Sequence, residues 1–134
     1  MTPYQKQVLK IKAFLNEKGL IECRVGTIEE LQGLEKSIII VSMVRSIEDN
    51  LKHDLKYNLG FIHSYKRFNC AVSRAKAFLI VIGNPFILSR DDNCWAKFIY
   101  NCIEKNCYYG CQFRIKSENP LEERLRAKLM GPKP

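Results

Sequence analysis

The chain has 134 residues, of which 46% are apolar and 27% are charged. This size and composition are typical of one globular domain and exclude a disordered, collagen-like or low-complexity chain. The longest uncharged stretch, residues 77–89, is shorter than the roughly 20 apolar residues of a membrane-spanning helix, and the amino-terminal segment lacks the uninterrupted apolar core of a secretory signal. We therefore expect a cytoplasmic protein with no membrane partner.

The net charge of +8 is concentrated in one part of the sequence. Residues 55–90 contain six basic side chains and no acidic one. Uncancelled positive charge favours a polyanion, such as a nucleic-acid backbone or the phosphates of a nucleotide. The alternative is a solvated basic surface that has no partner.

The six cysteines admit two interpretations. A domain of this size with a normal share of apolar residues does not need disulfides, so we expect free thiols. The tightest group, formed by Cys94, Cys102, Cys107 and Cys111, lacks the paired close spacing of zinc ribbons. We expect no metal site, and a cysteine-rich zinc module is the minor alternative.

Hydrophobic periodicity predicts the elements of the amino-terminal half. Apolar positions at helical spacing predict an amphipathic helix over residues 4–18. Residues 21–25 are a candidate short strand. The β-branched run over residues 36–44 is apolar on both faces, which is typical of a strand inside a sheet that is covered on both sides.

The pattern continues in the carboxyl-terminal half. A helical stripe over residues 68–75 precedes a second strand, apolar on both faces, over residues 77–82. An amphipathic helix is predicted near residues 94–105. Strands that alternate with helices predict an α/β fold with a mostly parallel sheet and helices on both faces.

A group of polar side chains lies between the first two predicted strands. Thr27 and Glu30 have the spacing of a capping box, in which each side chain binds a backbone amide at a helix start. The capping box accounts for Thr27 and Glu30 but gives no role to Gln32, Gly33 and Glu35. A glycine flanked by an amide side chain and an acidic side chain lets the backbone come close to a polar ligand, so this group favours a ligand contact. We expect this group at the carboxyl end of the first strand, where open parallel sheets bind ligands.

Two arginines form a second candidate site. Arg67 and Arg74 are seven residues apart, so they lie two turns apart on the same flank of the predicted helix. An arginine fixed beside a phosphate-binding cleft stabilises the charge that develops during phosphoryl transfer. We expect the Arg74 guanidinium to face the carboxyl ends of the central strands, across a gap from a terminal phosphate held by another module. A solvated basic helix face is the alternative.

Six segments occur in a fixed order along the chain. They are residues 2–7 (TPYQKQ), 25–35 (VGTIEELQGLE), 39–46 (IIVSMVRS), 58–61 (NLGF), 67–76 (RFNCAVSRAK) and 80–85 (IVIGNP). In this order they resemble the carboxyl-terminal RecA-like lobe of superfamily 1 helicases of the Upf1-like class, and within it the Armitage and Mov-ten group of RNA-silencing helicases. The resemblance covers about residues 2–111, so we interpret residues 1–111 as a partial RecA-like lobe and residues 112–134 as a charged tail.

The resemblance implies ATP-dependent 5′-to-3′ translocation on single-stranded RNA and unwinding of RNA. It implies that ATP and Mg²⁺ are held between this lobe and an amino-terminal RecA-like lobe, and that RNA-silencing proteins are partners. Arg74 stands at the position of the arginine finger. The residues implied around ATP are Arg67, Gln32, Gly33, Glu35 and Tyr4, and those implied to contact RNA are Thr27, Arg45 and Ser46.

The sequence lacks part of a complete motor. None of its seven glycines is followed by lysine, so the phosphate loop G-x-x-x-x-G-K-[ST] and its Mg²⁺ ligands are absent. We expect no ATP hydrolysis by this chain alone. Met1 stands where the family has the end of a strand, so we also expect a fragment, a partial gene model or a short isoform with an exposed apolar surface. A non-catalytic RNA-binding fragment and a decayed gene product are the alternatives.

Overall fold

The computed structural model describes residues 1–44, 64–91 and 93–113. Four helices and two strands are defined in these ranges. In chain order they are α1 (Gln5–Glu17), β1 (Lys36–Ser42), α2 (Tyr65–Ser73), β2 (Ala75–Ile82), α3 (Pro85–Leu88) and α4 (Trp95–Glu104).

The two strands form a parallel sheet. Ile38 lies opposite Phe78 and Ile40 lies opposite Ile80 in the ladder, and α2 lies between the two strands in the sequence. A parallel pair needs a crossover connection of this kind. The predicted α/β class is therefore confirmed.

The first residue of the chain adds to the free edge of β1. The Met1 ammonium group donates a hydrogen bond to the Ile40 carbonyl at 2.7 Å. The amide of Ser42 donates to the Met1 carbonyl at 2.9 Å. This pattern is that of a parallel pair, so Met1 lies level with Val41 and the chain then runs past the carboxyl end of β1.

One face of the sheet forms the core of the lobe. Ile39, Val41 and Met43 alternate along and just beyond β1, and all three are buried. The helices cover this face with an aromatic cluster in which the rings of Trp95 in α4 and Phe68 in α2 meet edge to face at 4.8 Å. Such aromatic pairs add to the free energy gained from burial alone.

The opposite face of the sheet is apolar and open in the described part of the chain. Ile38 is 60% exposed and Phe78, its partner across the ladder, is 59% exposed. Ile40 and Ile82 on the same face are also exposed. Covering elements are thus seen on one face of the two strands within the described ranges.

The strand predicted over residues 21–25 is wrong. Helix α1 ends in a left-handed glycine, Gly19 with φ +72°, and the Leu20 amide then bonds back to the Leu15 carbonyl at 2.9 Å. The following residues form turns, and Ile21 is 77% exposed. The short apolar run fails as a strand because its side chains have no core to pack against.

The boundary predicted between residues 111 and 112 stays a prediction. Phe113 is buried and its ring packs against Phe86 of α3 with centroids 5.2 Å apart. Residues 114–134, most of the predicted tail, lie outside the described residues.

Candidate functional site

Residues 27–35, called the 27–35 segment below, begin with the predicted capping box. The Glu30 side chain accepts the Thr27 amide at 2.9 Å, and the Thr27 hydroxyl accepts the Glu30 amide at 3.2 Å. This reciprocal pair satisfies two amides that have no partner within a helical turn. The capping interpretation of both residues is therefore confirmed.

The same segment turns sharply at Gly33 before it enters β1. Gly33 has φ +81°, a left-handed conformation that costs a residue with a Cβ about 1–2 kcal/mol. A Cβ added at Gly33 would meet nothing within 4 Å, so space does not require the glycine. The backbone conformation does, and it sets the position of Glu35 just ahead of the strand.

Two ion pairs join the 27–35 segment to the second half of the sheet. Glu29 Oε1 lies 2.7 Å from Nε of Arg67 in the first turns of α2. Glu35 Oε2 lies 3.6 Å from Nζ of Lys76 at the start of β2. All four side chains are about half exposed, so each pair contributes only about 0.2–1 kcal/mol. They link segments that are distant in the sequence.

Arg74 lies where these segments meet. It ends α2 with helical dihedral angles, and its carbonyl accepts the amide of Lys36 at 3.2 Å. Its position therefore continues the helix, and the rise of a helix places it about 10 Å along the same flank from Arg67. Nε of Arg74 is buried and has no hydrogen-bond partner among the described residues.

The structure corrects the expected edge of this site. Lys36 and Ala75 are paired at the start of the ladder, so Glu35 and Arg74 lie at the amino ends of both strands. The polar group was expected at the carboxyl end of a strand over residues 21–25, which does not form. The expectation that Arg74 faces the carboxyl ends of the central strands was also wrong, because Arg74 closes the helix that leads directly into the amino end of β2.

The structure does not bring Tyr4 and Thr27 to the same place as Arg74. The Thr2 amide donates to the Gly26 carbonyl at 3.3 Å, and Met1 is level with Val41, so Thr27 and Tyr4 lie near the carboxyl end of β1. Seven strand residues separate the two ends by about 20 Å. The other two residues expected to contact RNA, Arg45 and Ser46, lie outside the described residues.

An open cleft lies at this carboxyl end. Its volume is about 480 Å³. The side chains around it come from the start of α1 and from the end of the β1 segment. They are Tyr4, Gln5, Lys6, Gln7, Lys10 and Val44.

The cysteines show no disulfide, and all six thiols are free. Burial and the neighbouring thiol of Cys107 raise the pKa of Cys102 to about 11. Within residues 1–44, 64–91 and 93–113, no group of three or more histidine, cysteine or acidic side chains is placed to hold a metal ion. The same ranges contain no helix of the length and apolarity needed to span a bilayer.

Four charged residues near the amino and carboxyl ends of β1 were not predicted from the sequence. Glu29 and Lys76 form the ion pairs, and Lys6 and Lys10 border the cleft. The lysines carried a readable signal, because side chains four residues apart on a helix share one face. The ion pairs carried none, since each joins residues that are far apart in the sequence.

Comparison with known proteins decides the family. A family model described as an AAA domain matches residues 1–85, well over half of the chain. The chain belongs to this AAA-domain family. Its order of elements and its parallel strands are consistent with a RecA-like fold of that family.

Relatives with helicase names align with most of the chain. It is 43% identical over 111 residues to "Probable RNA helicase armi" of Drosophila melanogaster, an alignment that covers 83% of this chain and 9% of the relative. It is 47% identical over 111 residues to human "RNA helicase Mov10l1", with the same two coverages of 83% and 9%. It is 42% identical over 133 residues to "Putative helicase mov-10-B.1" of Danio rerio, covering 93% of this chain and 13% of that protein.

These matches confirm the resemblance to the carboxyl-terminal region of Upf1-like helicases. The chain spans only about a tenth of the length of the relatives it matches.

Proposed function

We propose that this chain is the carboxyl-terminal RecA-like lobe of an ATP-dependent 5′-to-3′ RNA helicase, and that Arg74 is its arginine finger. The observation that supports this most is the position of Arg74 at the junction of α2, β2 and the 27–35 segment. Membership of a family whose relatives are named RNA helicases supports the same proposal.

The environment of Arg74 suits an arginine that acts on a phosphate. Its backbone is fixed by the helix on one side and by the bond to Lys36 on the other. No ion pair with Arg74 occurs in the described part of the chain, and its buried Nε has no partner. A guanidinium on a fixed backbone that is not engaged in an ion pair is available to stabilise charge on a terminal phosphate. Such an arginine contributes roughly 10³–10⁵ in rate in well-studied NTPases.

The neighbours of Arg74 complete the nucleotide-facing surface in this proposal. Arg67 supports the surface while Glu29 holds its side chain. Gln32, Gly33 and Glu35 form the turn beside it. The Glu35–Lys76 distance of 3.6 Å is long for an ion pair, so the Glu35 carboxylate is available to accept a ribose hydroxyl.

The remaining components come from outside this chain. ATP and Mg²⁺ are held by an amino-terminal RecA-like lobe that carries the phosphate loop, and the bound Mg²⁺ neutralises phosphate charge. The chain by itself is therefore expected to be inactive. Thr27, Arg45 and Ser46 are proposed to contact the backbone of single-stranded RNA. A cytoplasmic location and partners in RNA silencing stay predictions.

The test is an Arg74→Ala substitution in the two-lobed protein, with this chain and an ATP-binding lobe in one polypeptide. RNA-stimulated ATP turnover should fall by about 10³–10⁵, while RNA binding measured by fluorescence anisotropy stays near that of the unaltered protein. Arg24→Ala is the matched control, because Arg24 is exposed and lies in the irregular stretch before the 27–35 segment. Unchanged turnover in the Arg74 variant would refute the assignment, and the basic lobe would then be a non-catalytic RNA-binding module.

A further inference from the structure

Helix α4 ends in a turn that is closed by two backbone hydrogen bonds. The amide of Cys107 donates to the carbonyl of Cys102 at 2.8 Å, and the amide of Asn106 donates to the carbonyl of Ile103 at 3.1 Å. Asn106 has a left-handed backbone, with φ 56°. Two such bonds around a left-handed residue form the Schellman motif, which brings its first and last residues into contact. Here these residues are Cys102 and Cys107.

The outer hydrogen bond of this turn limits the distance between the two cysteines. The bonded nitrogen and oxygen are each within one residue's bond lengths of their own Cα atoms. The 2.8 Å hydrogen bond therefore keeps the Cα atoms of Cys102 and Cys107 less than about 6.7 Å apart. Cysteines in disulfides have Cα separations of about 4.4–6.8 Å. The separation is thus within the reach of a disulfide.

The side chains of the two cysteines also meet. The Cys107 thiol donates a hydrogen bond to the Cys102 carbonyl oxygen at 3.4 Å. Burial, the charge of Cys107 and a hydrogen bond with the Cys107 thiol together raise the pKa of Cys102 to about 11. The two sulfur atoms are therefore neighbours in the reduced protein.

The two thiols differ in their access to solvent. Cys107 is exposed, whereas Cys102 is partly buried. An oxidant in solution reaches the exposed thiol first. Cys107 is thus placed to react first, and Cys102 is placed to react with the product.

We propose that Cys102 and Cys107 form a reversible disulfide that closes the carboxyl-terminal turn of α4, with a small-molecule disulfide such as oxidised glutathione as the oxidant. The Cys107 thiolate attacks one sulfur of the oxidant and displaces one glutathione. The Cys102 thiol loses its proton to water, attacks the Cys107 sulfur and displaces the second glutathione. The two cysteines lose two electrons and two protons in total, and one oxidised glutathione is reduced to two glutathione molecules.

The surroundings of Cys102 favour this order of steps. Part of the rise in the pKa of Cys102 comes from the charge of Cys107. That charge is absent once Cys107 carries glutathione, so Cys102 loses its proton more readily when it has to attack. Reduced glutathione reverses both steps, and in a reducing compartment the bond forms only transiently. This site is independent of the proposed helicase function.

Cys111 is the competing partner for Cys107. Its sulfur lies 3.6 Å from the hydroxyl of Tyr108, and that hydroxyl donates to the Cys111 carbonyl at 2.9 Å. Cys111 is thus held towards Tyr108. The experiment must therefore distinguish a Cys102–Cys107 bond from one that uses Cys111.

The experiment maps the disulfides of the full chain after equilibration in glutathione buffers. Free thiols are alkylated and the chain is digested with trypsin. Lys105 lies between Cys102 and Cys107, so trypsin separates residues 98–105 from residues 106–114 unless a disulfide joins them. The joined pair of peptides is expected to be the main oxidised product.

A second digestion identifies the cysteine that is bonded. Chymotrypsin cleaves after Tyr108 and Tyr109, which separate Cys107 from Cys111 in the sequence. The fragment that contains Cys107 should stay joined to residues 98–105. A bond through Cys111, or oxidised protein that carries only attached glutathione, would overturn the proposal.

The dependence on glutathione gives an independent test. Formation of the disulfide releases two glutathione molecules, whereas glutathione attached to one cysteine releases only one. Doubling reduced glutathione at constant oxidised glutathione should therefore lower the ratio of joined to reduced protein about fourfold. A decrease of only about twofold would contradict an internal disulfide.

Cys107→Ser is the decisive variant, because Cys107 is exposed and its replacement leaves the core intact. It should abolish the joined peptides. Cys23→Ser is the matched control, since Cys23 is also exposed, and it should leave the joined peptides unchanged. Thermal melts in reducing buffer show that each variant is folded. Joined peptides that persist in Cys107→Ser would contradict the assignment.

The melting temperature tests whether the native turn accommodates the bond. A disulfide restricts the unfolded chain, so oxidation should raise the Tm of the unaltered chain by about 5 °C. Cys107→Ser should show no rise in the same oxidising buffer. An unchanged or lower Tm of the unaltered chain on oxidation would show that the turn must distort to form the bond, and would contradict the proposal.

Discussion

The packed face of the sheet and the 27–35 segment stabilise the same lobe by different means. On the packed face, Ile39, Val41 and Met43 are removed from water against a cluster of aromatic rings. The 27–35 segment buries Ile28 and Leu31, and its polar part is held by a capping box, a left-handed glycine and two half-exposed ion pairs. Burial of one large apolar side chain contributes about 1.5–3 kcal/mol, more than the about 0.2–1 kcal/mol of either ion pair.

This difference separates stability from function. Changes on the packed face lower the stability of the whole lobe, so a loss of activity in such variants does not report specifically on ligands. The polar side chains of the 27–35 segment can be changed at a small cost in the free energy of unfolding. Loss of activity in such variants would therefore report on the proposed nucleotide-facing surface. The predictions below test this difference between the two regions.

The largest expected effect is on the packed face. Ile39→Ala should lower the free energy of unfolding by about 2–5 kcal/mol, because Ile39 is 8% exposed and its loss leaves a cavity. Ile38→Ala is the matched control in the same strand. Ile38 is 60% exposed, so its replacement should change stability by less than about 0.5 kcal/mol. Urea unfolding of both variants gives the values, and equal losses would show that both faces are packed.

A smaller effect is expected at the turn of the 27–35 segment. Gly33→Ala should lower the free energy of unfolding by about 1–2 kcal/mol through backbone strain alone. Gly19→Ala is the control, since Gly19 has φ +72° and also has open space around it. Urea unfolding should therefore give similar losses for both.

The two glycine variants should differ in function. In the two-lobed protein, only Gly33→Ala should also reduce ATP turnover, because only Gly33 sets the position of Glu35. If turnover falls equally in both variants, the turn at Gly33 has no specific role at the nucleotide.

The smallest expected effect is that of the Glu29–Arg67 ion pair. A double-mutant cycle with Glu29→Gln and Arg67→Gln should give a coupling free energy of about 0.2–1 kcal/mol, because both side chains are about half exposed. The coupling should decrease with salt. Urea unfolding at low and high ionic strength measures it. A coupling that is large and independent of salt would show that the pair is buried and contributes to the core.

Local features of the fold were predictable from the sequence. The strand predicted over residues 36–44 is observed as Lys36–Ser42, and that over 77–82 as Ala75–Ile82. The helix predicted over 4–18 is Gln5–Glu17. Periodicity and propensity act within a few residues, so they determine such elements well.

Features that depend on distant partners were not predictable. Ile38 and Ile39 are the same residue type in one strand, and only the packing of helices on one face makes their burial differ. The Ile-Glu-Cys-Arg-Val run over residues 21–25 alternates like a strand and yet forms turns. Arg74 was identified from its motif, but the edge of the sheet on which it lies followed from the strand pairing.

The central claim is that Arg74 acts on the transferring phosphate of an ATP held by another lobe. The most direct measurement is binding of ADP with aluminium fluoride, which mimics the transition state, to the two-lobed protein in the presence of RNA. Arg74→Ala should weaken binding of this analogue by about 10³-fold or more and leave the affinity for ADP alone nearly unchanged. Equally tight binding of the analogue with and without the Arg74 guanidinium would contradict the account.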